Sequence, residues 1–334
     1  MTDWNGVKVL VTGGAGMIGS SLVAALAKQG AAVTVADNLW RGKLENLHRE
    51  GRPVIDLDKQ FLKLDLMDYD NCLKAVEGQE MIYHLADVVA GINYVFGNQF
   101  SLFHSNVLMN TNVLHAAIAS KAPKLVYVGS ACSFPLEKQN RIGAPLLKES
   151  DTYPAHPESS YGWSKLMGEY ECELADEEGL IDVGVLRLHN VYGPFCEMSP
   201  ERSQVIPALI RKAIRHGEEE FVVWGSGKQR RAFVYVDDVI DALLAVAEKG
   251  MGAGCIQIGP DTSTSIREIA EKVVEISAKD ISIRYDTDKR EGDVDRAADY
   301  TKARETIGWS PKVDIDEGLR RTYQWCEREL AAGS

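Results

Sequence analysis

The segment Gly13-Gly14-Ala15-Gly16-Met17-Ile18-Gly19 constrains this chain more than any other. It holds two overlapping spacings, G-x-x-G-x-x-G and G-x-G-x-x-G. It sits between an apolar run, Val7–Val11, and a helical pattern, Ser20–Gln29, with a β-branched run, Ala31–Ala36, beyond. Strand, glycine turn, helix and strand over about thirty residues make a βαβ unit. Residues without Cβ let the backbone turn tightly and let a pyrophosphate approach the helix N-terminus, where unpaired N–H groups face an anion. The turn therefore predicts dinucleotide binding at Gly13, Gly16, Met17, Ile18 and Gly19. Asp37 closes the second strand eighteen residues after Gly19. A carboxylate there accepts hydrogen bonds from the adenosine ribose hydroxyls and repels a 2′-phosphate, which favours NAD over NADP, with Arg41 nearby as a counterweight.

The rhythm continues down the chain. Met81–Ala86, Lys124–Gly129 and Val183–Leu188 read as buried strands, and Asn106–Ala119 and Ser160–Glu177 as helices. Solid apolar strands alternating with helices predict an α/β fold: a Rossmann-type doubly wound parallel sheet covered on both faces. Beyond Pro194 the pattern loosens into short strands and amphipathic helices, read as a smaller α/β substrate-binding domain. Phe233–Glu248 is expected to return to the main sheet. The division is then 1–190 plus 233–255 for the NAD-binding domain, and 191–232 plus 256–328 for the nucleotide-sugar-binding domain. Leu136–Asp151 reads as a long loop beside the site. A formal charge of −12 over 334 residues argues against nucleic acid and anionic membranes as partners. No apolar run approaches the roughly 18–20 residues needed to span a bilayer, and no leader precedes the first strand. Six cysteines without a C-x-x-C pair fit a reducing, cytoplasmic setting. No His/Cys/Asp/Glu grouping has metal-ligand spacing, so no metal is expected.

Tyr161-Gly162-Trp163-Ser164-Lys165 places a phenol and an ammonium four apart, on one helix face. An adjacent ammonium is expected to lower the phenol's pKa and make a general base, with the Ser130 hydroxyl sharing the substrate oxygen. The same spacing also occurs on solvated helix faces. The surrounding words decide: Val11-Thr12-Gly13-Gly14-Ala15-Gly16-Met17-Ile18-Gly19, Ala36-Asp37-Asn38-Leu39, Asp65-Leu66, His84-Leu85-Ala86, Asn106-Val107, Tyr161-x-x-x-Lys165, Val191-Tyr192-Gly193-Pro194, Trp224-Gly225-Ser226-Gly227, Val236-Asp237-Asp238, Glu291-Gly292-Asp293 and Ile307-Gly308-Trp309-x-Pro311. This ordered series resembles the extended short-chain dehydrogenases/reductases, the NAD-dependent nucleotide-sugar epimerase/dehydratase family, from Val7 to about Trp325. The resemblance implies tightly held NAD, a nucleoside-diphosphate sugar, oxidation of a sugar hydroxyl (usually at C4) and a homodimer built on two helices of each subunit. It implies a triad of Ser130, Tyr161 and Lys165, and cofactor contacts that also include Asn38, Asp65, Leu66, Ala86, Tyr161 and Lys165. It further implies substrate contacts at Asn190, Gln204, Val205, Arg231 and Arg296.

The stretch Gly129-Ser130-Ala131-Cys132-Ser133-Phe134-Pro135 narrows the reaction. The family's 4,6-dehydratases carry Asp-Glu after the triad hydroxyl, and Ala131-Cys132 cannot supply that acid and base. A cysteine two residues after the serine resembles the GDP-mannose 3,5-epimerases and GDP-fucose synthases, where it removes a proton beside a 4-keto group. A thiolate suits that step because a C4 ketone acidifies the C3 and C5 hydrogens. The alternative for Cys132 is a small buried filler. Those enzymes pair the cysteine with a Lys or His, where this chain has Arg202-Ser203-Gln204. Gln cannot donate a proton to a carbanion and Arg is a poor acid. His189 is then either the proton donor or a hydrogen-bonded core histidine. Cysteine-assisted C3/C5 epimerisation of a GDP-mannose-like sugar leads. A C4 epimerase or C4 oxidoreductase, and a non-catalytic NAD-binding structural or sensor protein, stand as alternatives.

Overall fold

The computed structural model describes residues 3–332. Seven strands form its central sheet: β1 (Lys8–Thr12), β2 (Ala32–Asp37), β3 (Phe61–Lys63), β4 (Met81–His84), β5 (Lys124–Ser130), β6 (Asp182–Leu188) and β7 (Cys255–Ile258). Their spatial order is β7-β6-β5-β4-β1-β2-β3, and every pairing is parallel. Side chains alternate across a strand. Val9 and Val11 enter one apolar layer, and Leu10 enters the other. Both faces are covered by helices, α1 (Met17–Lys28), α2 (Gln99–Ala119), α3 (Ser160–Glu177) and α5 (Val236–Lys249), while α4 (Val205–Ile214) packs on helices of the smaller unit. α1 packs against α5 on one side, while α2 and α3 pack together on the other. The chain order reverses between β1 and β4, so their carboxyl ends splay and open the crevice in which such sheets bind ligands.

Two sheet strands lack a strand-like sequence. β3 is a three-residue, partly exposed edge, and in β7 Gln257 interrupts the apolar run. That glutamine is buried but paired, its Oε1 lying 3.1 Å from His189 Nε2 and its Nε2 donating to the Leu147 and Asp299 carbonyls, as a buried amide requires. The sheet thus runs to Ile258, three residues past the boundary expected at 255. Phe233–Tyr235 does not join it. β6 is bonded by β5 on one side and β7 on the other, so no edge is free. Phe233–Tyr235 pairs instead with Asn190–Tyr192 in a separate parallel ladder.

The smaller unit is built on short ladders. In one of them Arg230–Arg231 lies between Thr264–Ser265 and Asp295–Arg296, with Arg231 in register with Arg296. Two-residue pairing thereby sets two arginines, distant in sequence, side by side in the lining of the crevice.

Candidate active site

The glycine turn is built as its spacing requires. Gly13 has φ +67°, and a Cβ there would lie 2.9 Å from the Ala86 backbone. A Cβ on Gly19 would lie 2.2 Å from the Gly13 carbonyl. Gly16 is the N-cap of α1 and caps no N–H with a side chain, which leaves those donors for an anion. Asp37 accepts from the N–H groups of Ala15 (3.0 Å) and Leu39 (2.8 Å). Burial still holds its carboxyl above the ordinary range, with these two bonds pulling the other way. This cradle fits a dinucleotide. It forms one end of a cleft of about 640 Å³ whose wall includes Gly13, Gly16, Met17, Ile18, Gly19, Asp37, Asn38, Leu66 and Ala86. Asp65 is not on that wall. Its carboxylate turns back to accept from Met67 N–H, 3.0 Å away, so only Leu66 of the expected adenine pair faces the cleft.

At the other end β5, the turn after it and α3 bring Ser130, Cys132, Tyr161 and Lys165 to the cleft, whose lining there also includes Asn190, Gln204, Val205, Arg231 and Arg296. Ser130 Oγ accepts from Cys132 N–H at 3.2 Å and so starts the turn that carries the thiol. Arg296 Nη1 lies 3.7 Å from Cys132 Sγ and also donates to the Ala131 carbonyl and to Asp293, at 3.1 and 3.0 Å. Its Nη2 donates to Asn190 Oδ1 at 3.2 Å. Arg231 donates to the Asp293 carbonyl at 2.6 Å, and burial beside Arg296 lowers its pKa. Neither arginine lies on the open surface.

The expected electrostatics of the tyrosine are corrected by the structure. Lys165 Nζ lies 6.0 Å from the centre of the Tyr161 ring and bonds elsewhere. Its Nζ donates to the Val128 carbonyl (2.9 Å) and pairs with Asp87 Oδ2 at 2.8 Å, while Tyr161 Oη donates to the same oxygen at 3.0 Å. Burial and the Asp87 charge push the phenol's pKa well up rather than down. Of the two readings of His189, the structure matches the hydrogen-bonded core histidine, its Nε2 lying 3.1 Å from Gln257 Oε1. Burial and Arg296 bring its pKa down to about 3, so it stands as a neutral imidazole and not as a proton donor at neutral pH. Two cleft residues escaped sequence reasoning. One is Asp87. The other is Glu158, whose carboxyl is raised by burial and by Asp293 and which lies 3.6 Å from Arg290. Neither falls in a motif, and both matter only through partners distant in sequence.

Beneath the turn, Arg187 and Glu169 form a buried pair. Arg187 Nε reaches both Glu169 oxygens, at 3.3 and 3.2 Å. Its guanidinium lies 4.5 Å from the centre of the Phe134 ring and donates to Thr152 Oγ1 at 2.7 Å. The pair supports the segment that carries Cys132.

Residues 9–259 match the model of the NAD dependent epimerase/dehydratase family. The chain belongs to this family. It is 31% identical over 332 residues to GDP-mannose 3,5-epimerase of Arabidopsis thaliana, spanning 98% of this chain and 85% of that protein. It is 30% identical over 321 residues to GDP-L-fucose synthase 1 of the same plant, spanning 95% and 92%. The structure of UDP-glucose 4-epimerase from Thermotoga maritima superposes with a TM-score of 0.85 at 30% identity, covering 97% of this chain and all of that one. The chain is thus an NAD-dependent enzyme of the extended short-chain dehydrogenase/reductase type. Among the described residues no helix is long and apolar enough to cross a membrane.

Proposed function

We propose that the enzyme epimerises a GDP-linked sugar through C4 oxidation and cysteine-assisted exchange at C3 or C5. The observation that carries this reading is the 3.7 Å contact between Arg296 Nη1 and Cys132 Sγ, on the wall that also holds Ser130 and Tyr161. The contact sets the sulfur against a cation on the cleft wall, a surrounding that a purely apolar filler cysteine does not require.

Bound NAD supplies the hydride acceptor at C4 and returns the hydride at the end. The protein's own groups do the rest. Tyr161 Oη exchanges a proton with the C4 oxygen, which the Ser130 hydroxyl holds by a hydrogen bond. Cys132, as the thiolate, takes the proton from the carbon beside the resulting ketone, and the negative charge passes from sulfur to the enolate, with Arg296 beside the sulfur. The opposite face needs an acid. Gln204 cannot serve, and His189 is neutral. Glu158, whose carboxyl holds its proton to higher pH than an ordinary glutamate, is the wall residue suited to that role. Arg231 and Arg296 offer positive charge to a diphosphate.

We also infer a homodimer through α3. Trp163, Met167, Tyr170 and Leu174 recur at helical spacing and are 38%, 47%, 53% and 39% exposed, a stripe of the kind that marks an association surface. The six free thiols agree with a cytoplasmic, reducing setting.

The test is incubation with GDP-mannose in deuterium oxide, read by NMR. Solvent deuterium at C3 or C5, lost in Cys132→Ala while C4 oxidation persists, is the expected result. A deuterium-free product with stoichiometric release of reduced cofactor overturns it in favour of a C4 oxidoreductase, and deuterium-free inversion at C4 in favour of a 4-epimerase.

A further inference from the structure

Two of the free cysteines face each other. Cys196 Sγ lies 3.9 Å from Cys326 Sγ, across 130 residues of sequence. Cys196 belongs to the segment between Gly193-Pro194 and α4. Cys326 belongs to the C-terminal helix, Ile315–Ala332, which packs on α4 and on the Phe233–Tyr235 strand. The preceding residue of each holds the two in step, for the Phe195 and Trp325 rings lie 5.5 Å apart, centre to centre. The Arg49 guanidinium lies 4.0 Å from the Phe195 ring centre. Phe195 also has φ +65°, a left-handed conformation that a bulky residue keeps only where its surroundings impose it. The sulfurs are therefore brought together by a tightly determined piece of structure. They differ in access: Cys326 is fully buried, whereas Cys196, 8% exposed, lines the cleft. Cys72, Cys172 and Cys255 lie in the other apolar layer, and Cys132 faces Arg296.

We propose that Cys196 and Cys326 are a redox modification site, which a peroxide entering the cleft converts to a reversible disulfide that clamps the Cys196 segment to the C-terminal helix. A disulfide bond is about 2.05 Å long, so the sulfurs must close by about 1.9 Å, within the sweep of one cysteine side chain between rotamers. In the first step the Cys196 thiolate attacks a peroxide oxygen. An S–O bond forms, the O–O bond breaks, and the departing hydroxide takes up the proton that the thiol gave. In the second step Cys326 Sγ attacks Cys196 Sγ. The S–S bond forms, the S–O bond breaks, and the hydroxyl leaves as water with the Cys326 proton. Two thiols are thus oxidised by two electrons, and one hydrogen peroxide is reduced to two waters. A reactive thiol poised beside a resolving one is the pattern of redox sensing, and in a reducing compartment such a bond is transient. The bond closes a loop of 130 residues, which restricts the unfolded chain and so favours the folded one. Neither step uses NAD or a sugar, so the proposal stands apart from the reading of Cys132.

The test treats reduced holoenzyme with hydrogen peroxide, blocks the remaining thiols by alkylation in denaturant, and maps the peptides by mass spectrometry without reductant. A peptide joining Cys196 to Cys326 is expected, and dithiothreitol should abolish it. Oxidation of Cys132 or any other cysteine with no such peptide overturns the proposal, as does Cys196 advancing to the sulfinic acid while Cys326 stays a free thiol. The second readout is the urea midpoint, which should be higher in the peroxide-treated enzyme than in the reduced one. Cys326→Ala and Cys196→Ser cannot form the bond, so the same treatment should leave their midpoints no higher than those of their reduced forms. Cys326→Ala opens a small hole in the core, and if it does not fold, Cys196→Ser on the cleft wall serves alone. A cross-link that forms without raising the midpoint refutes the clamp.

Discussion

Acid should weaken this protein through two histidines in the window between about pH 6.5 and pH 4. His84 is held neutral by burial. Its Nδ1 lies 2.8 Å from Thr12 Oγ1 and its Nε2 lies 3.0 Å from Asn110 Oδ1. Thr12 Oγ1 already accepts from two backbone N–H groups. Its proton therefore goes to Nδ1, and the ring has one acceptor nitrogen in a dry site. Its pKa falls to about 4, and that of His189 to about 3, from an ordinary 6.5. The sign follows from the proton count: below pH 6.5 the unfolded chain binds protons at both rings and the folded one does not. Stability contributed by the neutral rings is complete above 6.5 and is lost as pH falls toward the folded values. Linkage gives a loss of about 2 kcal/mol per histidine between about pH 7.5 and about pH 5, hence about 4 for the pair. That is a large share of a stability of about 5–15 kcal/mol. The assay is urea unfolding at fixed pH steps, comparing the native chain with His189→Gln and His84→Asn. Each substitution should remove about half of the pH-dependent loss. If both variants lose stability with acid as steeply as the parent, the two rings are not buried in neutral form and the reasoning fails.

Other outcomes follow from close contacts. Gly19→Ala puts a methyl 2.2 Å from the Gly13 carbonyl, so the turn must open and cofactor retention, read as nicotinamide released on denaturation, should be lost with the fold still cooperative. Glu169→Ala leaves Arg187 buried and unpaired and should cost about 3–5 kcal/mol in chemical denaturation. The double change Glu169→Leu with Arg187→Met should recover most of that, because apolar packing replaces a buried pair at little cost. Tyr170→Glu, on the exposed stripe of α3, should shift sedimentation from dimer to monomer.

Much of the cofactor end was legible in the sequence because its chemistry is local. Gly13, Gly16, Gly19 and Asp37 act through one turn and the strands on either side, so spacing alone locates them. The substrate end is assembled by tertiary contacts. Arg296 meets Cys132 across 164 residues and Asp87 meets Tyr161 across 74, and no periodicity encodes such meetings. The upward shift of the Tyr161 phenol, against the lowering expected, has that cause: helix spacing puts Tyr161 and Lys165 on one face but says nothing of a carboxylate arriving from another strand. The strands missed at the two sheet edges have a related cause. β3 and β7 lack the solid apolar run of a fully covered strand, one because it lies half exposed and the other because Gln257 is paired inside.

The Thr12 hydroxyl ties β1 to the segment after β4 across the point where chain order reverses, and it does so with its hydrogen-bonding capacity filled. That seam makes the nucleotide side of the cleft an anvil of fixed width. Any adjustment to a bound substrate would then fall to groups outside that seam, such as Gln204 at a helix cap and Arg231 on a two-residue ladder.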